Sequence, residues 1–183
     1  MKVNILEDLL HQELRSLYST EKQTFQELSK MTRAACHPKL RALFTNRLEE
    51  SGEQVKRLER MAGLIGKSLD GARCLGMRQV VEEEARESLL NAHARNETYD
   101  AGLIAAARHF ICYEIEKYEL ACILASRLGL DELELLLQRN LKDQKELSTR
   151  LARLAKALMD ARRAKVCTST HSADPFHGSW LAA

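Results

Sequence analysis

Two acidic side chains stand where a helical bundle should be apolar. In the stretch LYSTEKQ, Leu17 to Gln23, Glu21 falls in line with Leu10, Leu14, Leu17, Thr24 and Leu28. Residues three and four apart share one face of a helix, so Glu21 points the way its leucines do. Glu114 holds the same place among Leu103, Ala107, Ile111 and Tyr118. A carboxylate on a buried face has to meet a positive partner, a metal ion or water. Two chemistries follow. A metal site would use Glu21 and Glu114, with Glu50 or Glu53 from the run EESGE as further oxygen ligands. A buried polar cluster would instead join Glu21 and Glu114 to Arg47, Gln54 and Gln144, with Arg47 supplying a fixed positive charge. Tyr18, Tyr113 and Tyr118 offer hydroxyls to such buried acids. His11, His37, His93 and His109 map away from the inner seam.

These residues need long helices to position them. Helical spacing carries a first helix over about Asn4 to Ala35, and Cys36-His37-Pro38 ends it, because the residue before proline avoids the α region. A second helix runs from Pro38 to about Leu64, with Phe44, Leu48, Ser51, Val55, Leu58 and Ala62 as its inner face. On that register Arg47, Ser51 and Gln54 flank the seam, while Glu49, Glu50 and Glu53 read as a solvated face. Gly63 and Gly66 close the helix. Leu69 to Gly76 reads as a linker, and Met77 to about Arg95 as a shorter helix. A third long helix extends from Thr98 to Leu128 and stops at Gly129. The fourth is capped by Asp131 and runs to about Lys165, with Leu137, Leu141, Gln144, Ser148, Leu151 and Ala155 inward. Its basic residues Arg150, Arg153, Lys156, Arg162, Arg163 and Lys165 oppose the helix dipole.

The expected fold is therefore all-α: four long helices plus a short one between the second and third, with a long crossover in the ferritin-like manner. The bundle takes residues 1–165, and 166–183 turn to Ser, Thr, His, Pro and Gly, a flexible tail on which Phe176 and Trp180 could dock a partner.

Composition narrows the function classes. A formal net charge of +2 over 183 residues favours neither nucleic acid nor acidic ligands. No apolar run suits a membrane span and no signal-peptide core is evident, so the expected location is the cytoplasm. The five cysteines, Cys36, Cys74, Cys112, Cys122 and Cys167, are widely spaced without a CxxC pair and read as reduced, apolar-like thiols. No glycine-rich phosphate loop, GxSxG or HExxH motif occurs.

Several short motifs in this order resemble the YciE/YciF family of ferritin-like bacterial stress proteins. They are LYSTEKQ at Leu17–Gln23, LEESGEQVKRLE at Leu48–Glu59, CLGM at Cys74–Met77, DAGLIAAA at Asp100–Ala107, YEIEKY at Tyr113–Tyr118 and LGL at Leu128–Leu130. The resemblance covers about Leu6 to Leu154. It implies a helical bundle, often a homodimer, similar to the di-iron domain of rubrerythrin, and a family associated with general stress for which a ferroxidase role is often suggested. It also implies departures: family members typically carry histidine at the place of Arg47, glutamate then histidine at Ile111 and Cys112, and glutamate and aspartate at Gln144 and Ser148. Glu21 and Glu114 match. On this comparison the expected protein has a degenerate metal centre, no cofactor, and a structural or interaction role. The alternative is an iron- or manganese-binding ferroxidase or peroxide-consuming oxidoreductase. A protein partner captured through the tail or an exposed helix face is a third reading; nucleic acid and membrane are not expected partners.

Overall fold

The computed structural model describes residues 2–71, 74–90 and 97–171, with side chains placed at 5–71, 74–83 and 99–161. Among the described residues all regular structure is helical: α1 (Lys2–Ala34), α2 (Pro38–Ile65), α3 (Leu75–Leu90), α4 (Glu97–Arg127) and α5 (Asp131–His171). Local chemistry sets several ends. His37 caps α2, its Nδ1 accepting from the Lys39 amide at 3.2 Å, with Pro38 at the first helical position. Gly66 and Gly129, at φ 64° and 66°, take the left-handed conformation that ends α2 and turns α4 into α5. Asp131 lies inside the first turn of α5 with Glu132 and Glu134, where acids complement the dipole, rather than acting as the cap.

The packed neighbours α1–α2, α2–α5, α5–α4 and α4–α1 close a four-helix ring. Each pair is antiparallel. Tyr18 meets Glu59 while Asp8 meets Lys67. Glu13 meets Lys117 while Thr24 meets Glu114. Arg57 meets Asp143 while Glu50 approaches Arg150. Gln144 reaches Glu114 while Asn140 reaches Tyr118. Helices α2 and α4 therefore run parallel across a diagonal, which forces the chain between them back along the bundle. The segment carrying α3 does this, packing on α4 and α1. At the far end, Asp100 accepts from the Cys36 and His37 amides at 2.8 and 2.7 Å and ties the α1–α2 corner to α4.

The apolar interior falls into two halves. One gathers Leu28, Leu40, Phe44, Met77, Ile111 and Leu151; the other gathers Leu10, Leu14, Leu17, Leu58, Met61 and Leu137. Burying each such side chain contributes about 1.5–3 kcal/mol. Between the halves lies a polar layer.

Four expectations need correction. The inner face of α2 is Leu40, Phe44, Arg47, Ser51, Gln54, Leu58 and Met61, so Arg47 and Gln54 lie in the seam rather than beside it. On α5 the buried positions are Leu133, Leu137, Asn140, Gln144, Leu147, Leu151, Leu154 and Leu158, with Leu141, Ser148 and Ala155 only half-buried. Helix α5 continues past Lys165 to His171, since Val166, Cys167 and Thr168 include no helix breaker. Its basic residues are thus not a terminal turn, and Arg150 instead approaches Glu50 and Glu146. Phe176, His177 and Trp180 lie outside the described residues. Finally, among the cysteines whose side chains are described, Cys36 and Cys112 are exposed, Cys74 is buried and Cys122 is half-buried.

Candidate functional site

Each wall of the bundle sends polar side chains into the layer between the apolar halves. Helix α1 supplies Glu21 and Thr24, α2 supplies Arg47, Ser51 and Gln54, α4 supplies Glu114 and Tyr118, and α5 supplies Asn140 and Gln144; all are buried. Arg47 Nη2 donates to Glu21 Oε2 at 3.1 Å and to Glu114 Oε2 at 3.3 Å. Glu21 Oε1 accepts from the Tyr118 hydroxyl at 2.9 Å and from Gln144 Nε2 at 3.2 Å, and Ser51 approaches Oε2 at 3.4 Å. Glu114 accepts from Thr24 Oγ1 and from Gln144 Nε2, both at 2.5 Å. Gln54 Oε1 lies 3.4 Å from the same Gln144 nitrogen, and Asn140 Nδ2 donates to the Tyr118 oxygen at 3.0 Å. Arg47 Nε and Nη1 and the Asn140 and Gln144 carbonyl oxygens have no hydrogen-bond partner among the described residues. Each such orphan costs about 1–3 kcal/mol, so the layer lowers stability relative to an apolar one.

Burial pushes the Glu114 carboxyl up, and the charge of Glu21 pushes it further, to about 8; Arg47 and Thr24 pull the other way. Burial also works against the Arg47 guanidinium, but Glu21 and Glu114 outweigh it and hold Arg47 above its usual range. Burial, then Glu21 and Glu114, raise the Tyr118 phenol well above its ordinary value, so it stays a donor. Burial and the neighbouring acid thus favour the neutral form of Glu114, while Arg47 stays a cation.

The other acids named from sequence are elsewhere. Glu53 is on the surface and bonds Lys56 at 2.7 Å. Glu50 is half-buried, 4.0 Å from Arg150. Neither approaches Glu21 or Glu114 closely enough to share a ligand, because both lie off the buried face of α2. Tyr18 donates to Glu59, not to Glu21. Imidazoles are absent from the layer as described: His11 contacts the Ser68 carbonyl and His37 caps α2, while His93 lies outside the described residues. Sequence reasoning missed Asn140 and the donor role of Thr24. Asn140 stands four residues before Gln144 and three after Leu137, and that spacing was the available signal.

Two metal ions in this architecture need about four carboxylates and two imidazoles. The layer brings two carboxylates, two hydroxyls, a phenol, three amides and a guanidinium. That donor set does not fit two divalent cations, and the Arg47 nitrogen occupies the place between the two acids. Among the described residues no group of three or more His, Cys, Asp or Glu is placed to hold a metal.

A closed four-helix ring with inward acids and a long crossover is a ferritin-like bundle. The chain belongs to the family described as domain of unknown function DUF892, whose model matches residues 5–164. It is 31% identical over 156 residues to protein YciF of Escherichia coli K12, covering 85% of this chain and 93% of that protein. The crystal structure of the E. coli stress protein YciF matches with a TM-score of 0.79 at 32% identity, over 85% of this chain and 97% of that one. YcfI from Rhodopseudomonas palustris matches with a TM-score of 0.76 at 30% identity, over 80% and 92%. A two-domain protein of Anabaena variabilis, with DJ-1/ThiJ/PfpI-like and ferritin-like domains, shares the fold at 15% identity, with a TM-score of 0.56 over 95% of this chain and 40% of that one. Among the described residues no helix is long and apolar enough to cross a membrane.

Proposed function

We propose that this protein is a stress-associated ferritin-like bundle whose di-metal centre is degenerate, and that it works as a homodimer in a structural or interaction role. The observation that carries the reading is Arg47, buried to 1% exposure, with one nitrogen bonded to both inward glutamates. A guanidinium there supplies the positive charge that metal would otherwise bring. Ile111, one turn before Glu114 and packed in the apolar core, removes a further position from which a ligand could enter. The stress association rests on similarity to E. coli YciF. The homodimer is supported by large apolar side chains left exposed on the outer bundle, including Leu120, Ile123 and Leu135.

Metal analysis tests the reading. The full chain is incubated with Fe(II) without oxygen, desalted, and assayed for bound iron. The native protein should retain far less than one iron per chain, whereas Arg47→His/Ile111→Glu/Gln144→Glu should retain about two. Two irons in the native protein, or no gain in the triple variant, would overturn the degenerate-centre reading.

A further inference from the structure

A second polar constellation lies where the crossover meets α1 and α4, and it shares no residue with the Glu21 layer. Cys74 precedes α3, and its carbonyl accepts from the Arg78 amide at 3.1 Å, so the thiol sits at a helix N-terminus. The corner is pinned: the Cys74 amide donates to Ser19 Oγ at 3.1 Å, and Gln23 Nε2 donates to the Cys74 carbonyl at 3.3 Å. Sγ is buried. The Ser16 hydroxyl donates to it at 3.4 Å, and the Tyr113 hydroxyl lies 3.1 Å away. Thr20 is wholly buried, its hydroxyl has no hydrogen-bond partner among the described residues, and it lies near enough to the thiol to favour the thiolate. Gly76 makes the approach of Tyr113 possible, since a Cβ there would stand 2.5 Å from the Tyr113 hydroxyl.

A neutral thiol is a weak acceptor and asks for little. Two hydroxyls in contact with one sulfur, an unpartnered third beside them and a helix N-terminus are a donor set for an anion. Burial alone would push the thiol up; Ser16, Thr20, Tyr113 and the Met77 backbone outweigh it and hold Cys74 below the usual range. Burial, and then Cys74 itself, push the Tyr113 phenol up, which keeps it a donor. A cavity of about 470 Å³ adjoins this corner, lined by Cys74 together with Ser19, Lys22, Gln23 and Arg78.

We propose that Cys74 is a reactive cysteine that small hydroperoxides oxidise to the sulfenic acid. The thiol gives its proton to water, and the thiolate attacks the terminal OH oxygen of the peroxide as the O–O bond breaks. Sulfur loses two electrons and keeps that oxygen as S–OH. The other oxygen leaves as hydroxide or alkoxide and takes a proton from water, giving water or an alcohol. Ser16 and Thr20 are placed to donate to the oxygen gained by sulfur, which gives the Thr20 hydroxyl its acceptor.

The test uses the reduced full chain with limiting hydrogen peroxide, a dimedone trap and peptide mass spectrometry. Exposed Cys36 and Cys112 serve as internal comparators. Cys74 should be trapped about tenfold or more faster than either, as its thiolate character requires. Tyr113→Phe and Ser16→Ala, checked for folding by circular dichroism, should each slow trapping at Cys74 several-fold and leave Cys36 and Cys112 unchanged. Gly76→Ala, which displaces the Tyr113 hydroxyl, should act like Tyr113→Phe. Trapping at Cys36 or Cys112 before Cys74, or unchanged Cys74 rates in both folded hydroxyl variants, would overturn the proposal.

Discussion

Arg47→Met is the sharpest test of the buried layer. It keeps the volume near that of arginine and deletes the only guanidinium in the layer. The interaction lost can be sized. At 3.1 Å from Glu21, a unit charge pair is worth about 5 kcal/mol at an effective dielectric of about 20. The pair with Glu114 is largely silent at neutral pH, because that carboxyl titrates at about 8 and is mostly protonated. Glu21 is then left buried and unbalanced, and the expected loss is about 3–5 kcal/mol at neutral pH. Against a domain stability of about 5–15 kcal/mol, that is readily measured. The sign with pH follows from Glu114. A carboxyl raised from its ordinary 4.5 to about 8 contributes stability that is whole below about 4.5 and lost as pH rises through about 8. Native stability should therefore fall from mildly acidic to mildly alkaline pH. Arg47→Met removes the charge that pulls the Glu114 carboxyl down, so that carboxyl rises further and the gap to the native protein should widen as pH rises. Urea unfolding followed by circular dichroism reads this directly. Arg47→Met/Glu21→Gln, which removes both charges, should recover most of the loss. A single variant within about 1 kcal/mol of native at neutral pH, or a gap insensitive to pH, would refute the charge balance described.

Tyr118→Phe removes the donor to Glu21 Oε1 and the acceptor of Asn140 Nδ2, and should cost about 1–3 kcal/mol in urea unfolding with an unchanged m-value. A neutral result would mean the phenol is not needed by either partner. Sedimentation equilibrium should give about twice the 20.8 kDa chain mass, and Ile123→Glu, placing charge on an exposed apolar position, should return it to that of one chain if α4 forms the dimer face. A monomer at every concentration would remove the homodimer from the proposed function.

Helix number, order and the crossover were legible because apolar spacing and a few stops, Pro38, Gly66 and Gly129, define them without ambiguity. The faces of α1 and α4 were equally plain. Leu10, Leu14, Leu17, Glu21, Thr24 and Leu28 are buried, as are Leu103, Ala107, Ile111, Glu114 and Tyr118. The faces of α2 and α5 were harder for one shared reason. Each places polar residues in the seam, Arg47 and Gln54 on one helix and Asn140 and Gln144 on the other. A rule that seeks apolar periodicity rotates such a helix toward its neighbouring apolar positions, here Leu48, Val55 and Ala62, or Leu141 and Ala155, all of which are half-buried. The hydroxyls around Cys74 were illegible for a different reason. They come from α1 and α4 onto a crossover whose path no local pattern specifies.

The polar layer has a consequence for specificity that an apolar layer would lack. A slip of one turn between α1 and its neighbours moves Glu21 by about 5.4 Å along the bundle. It would take the carboxylate away from the Tyr118 hydroxyl and the Gln144 amide that it accepts from in the native alignment. Leucine repeats alone distinguish such registers weakly, since a leucine meets a leucine in each. The acids, amides and guanidinium distinguish them more strongly, because a buried charge that loses partners costs several kcal/mol. The same contacts that reduce stability relative to a wholly apolar core thus select one alignment of four long helices.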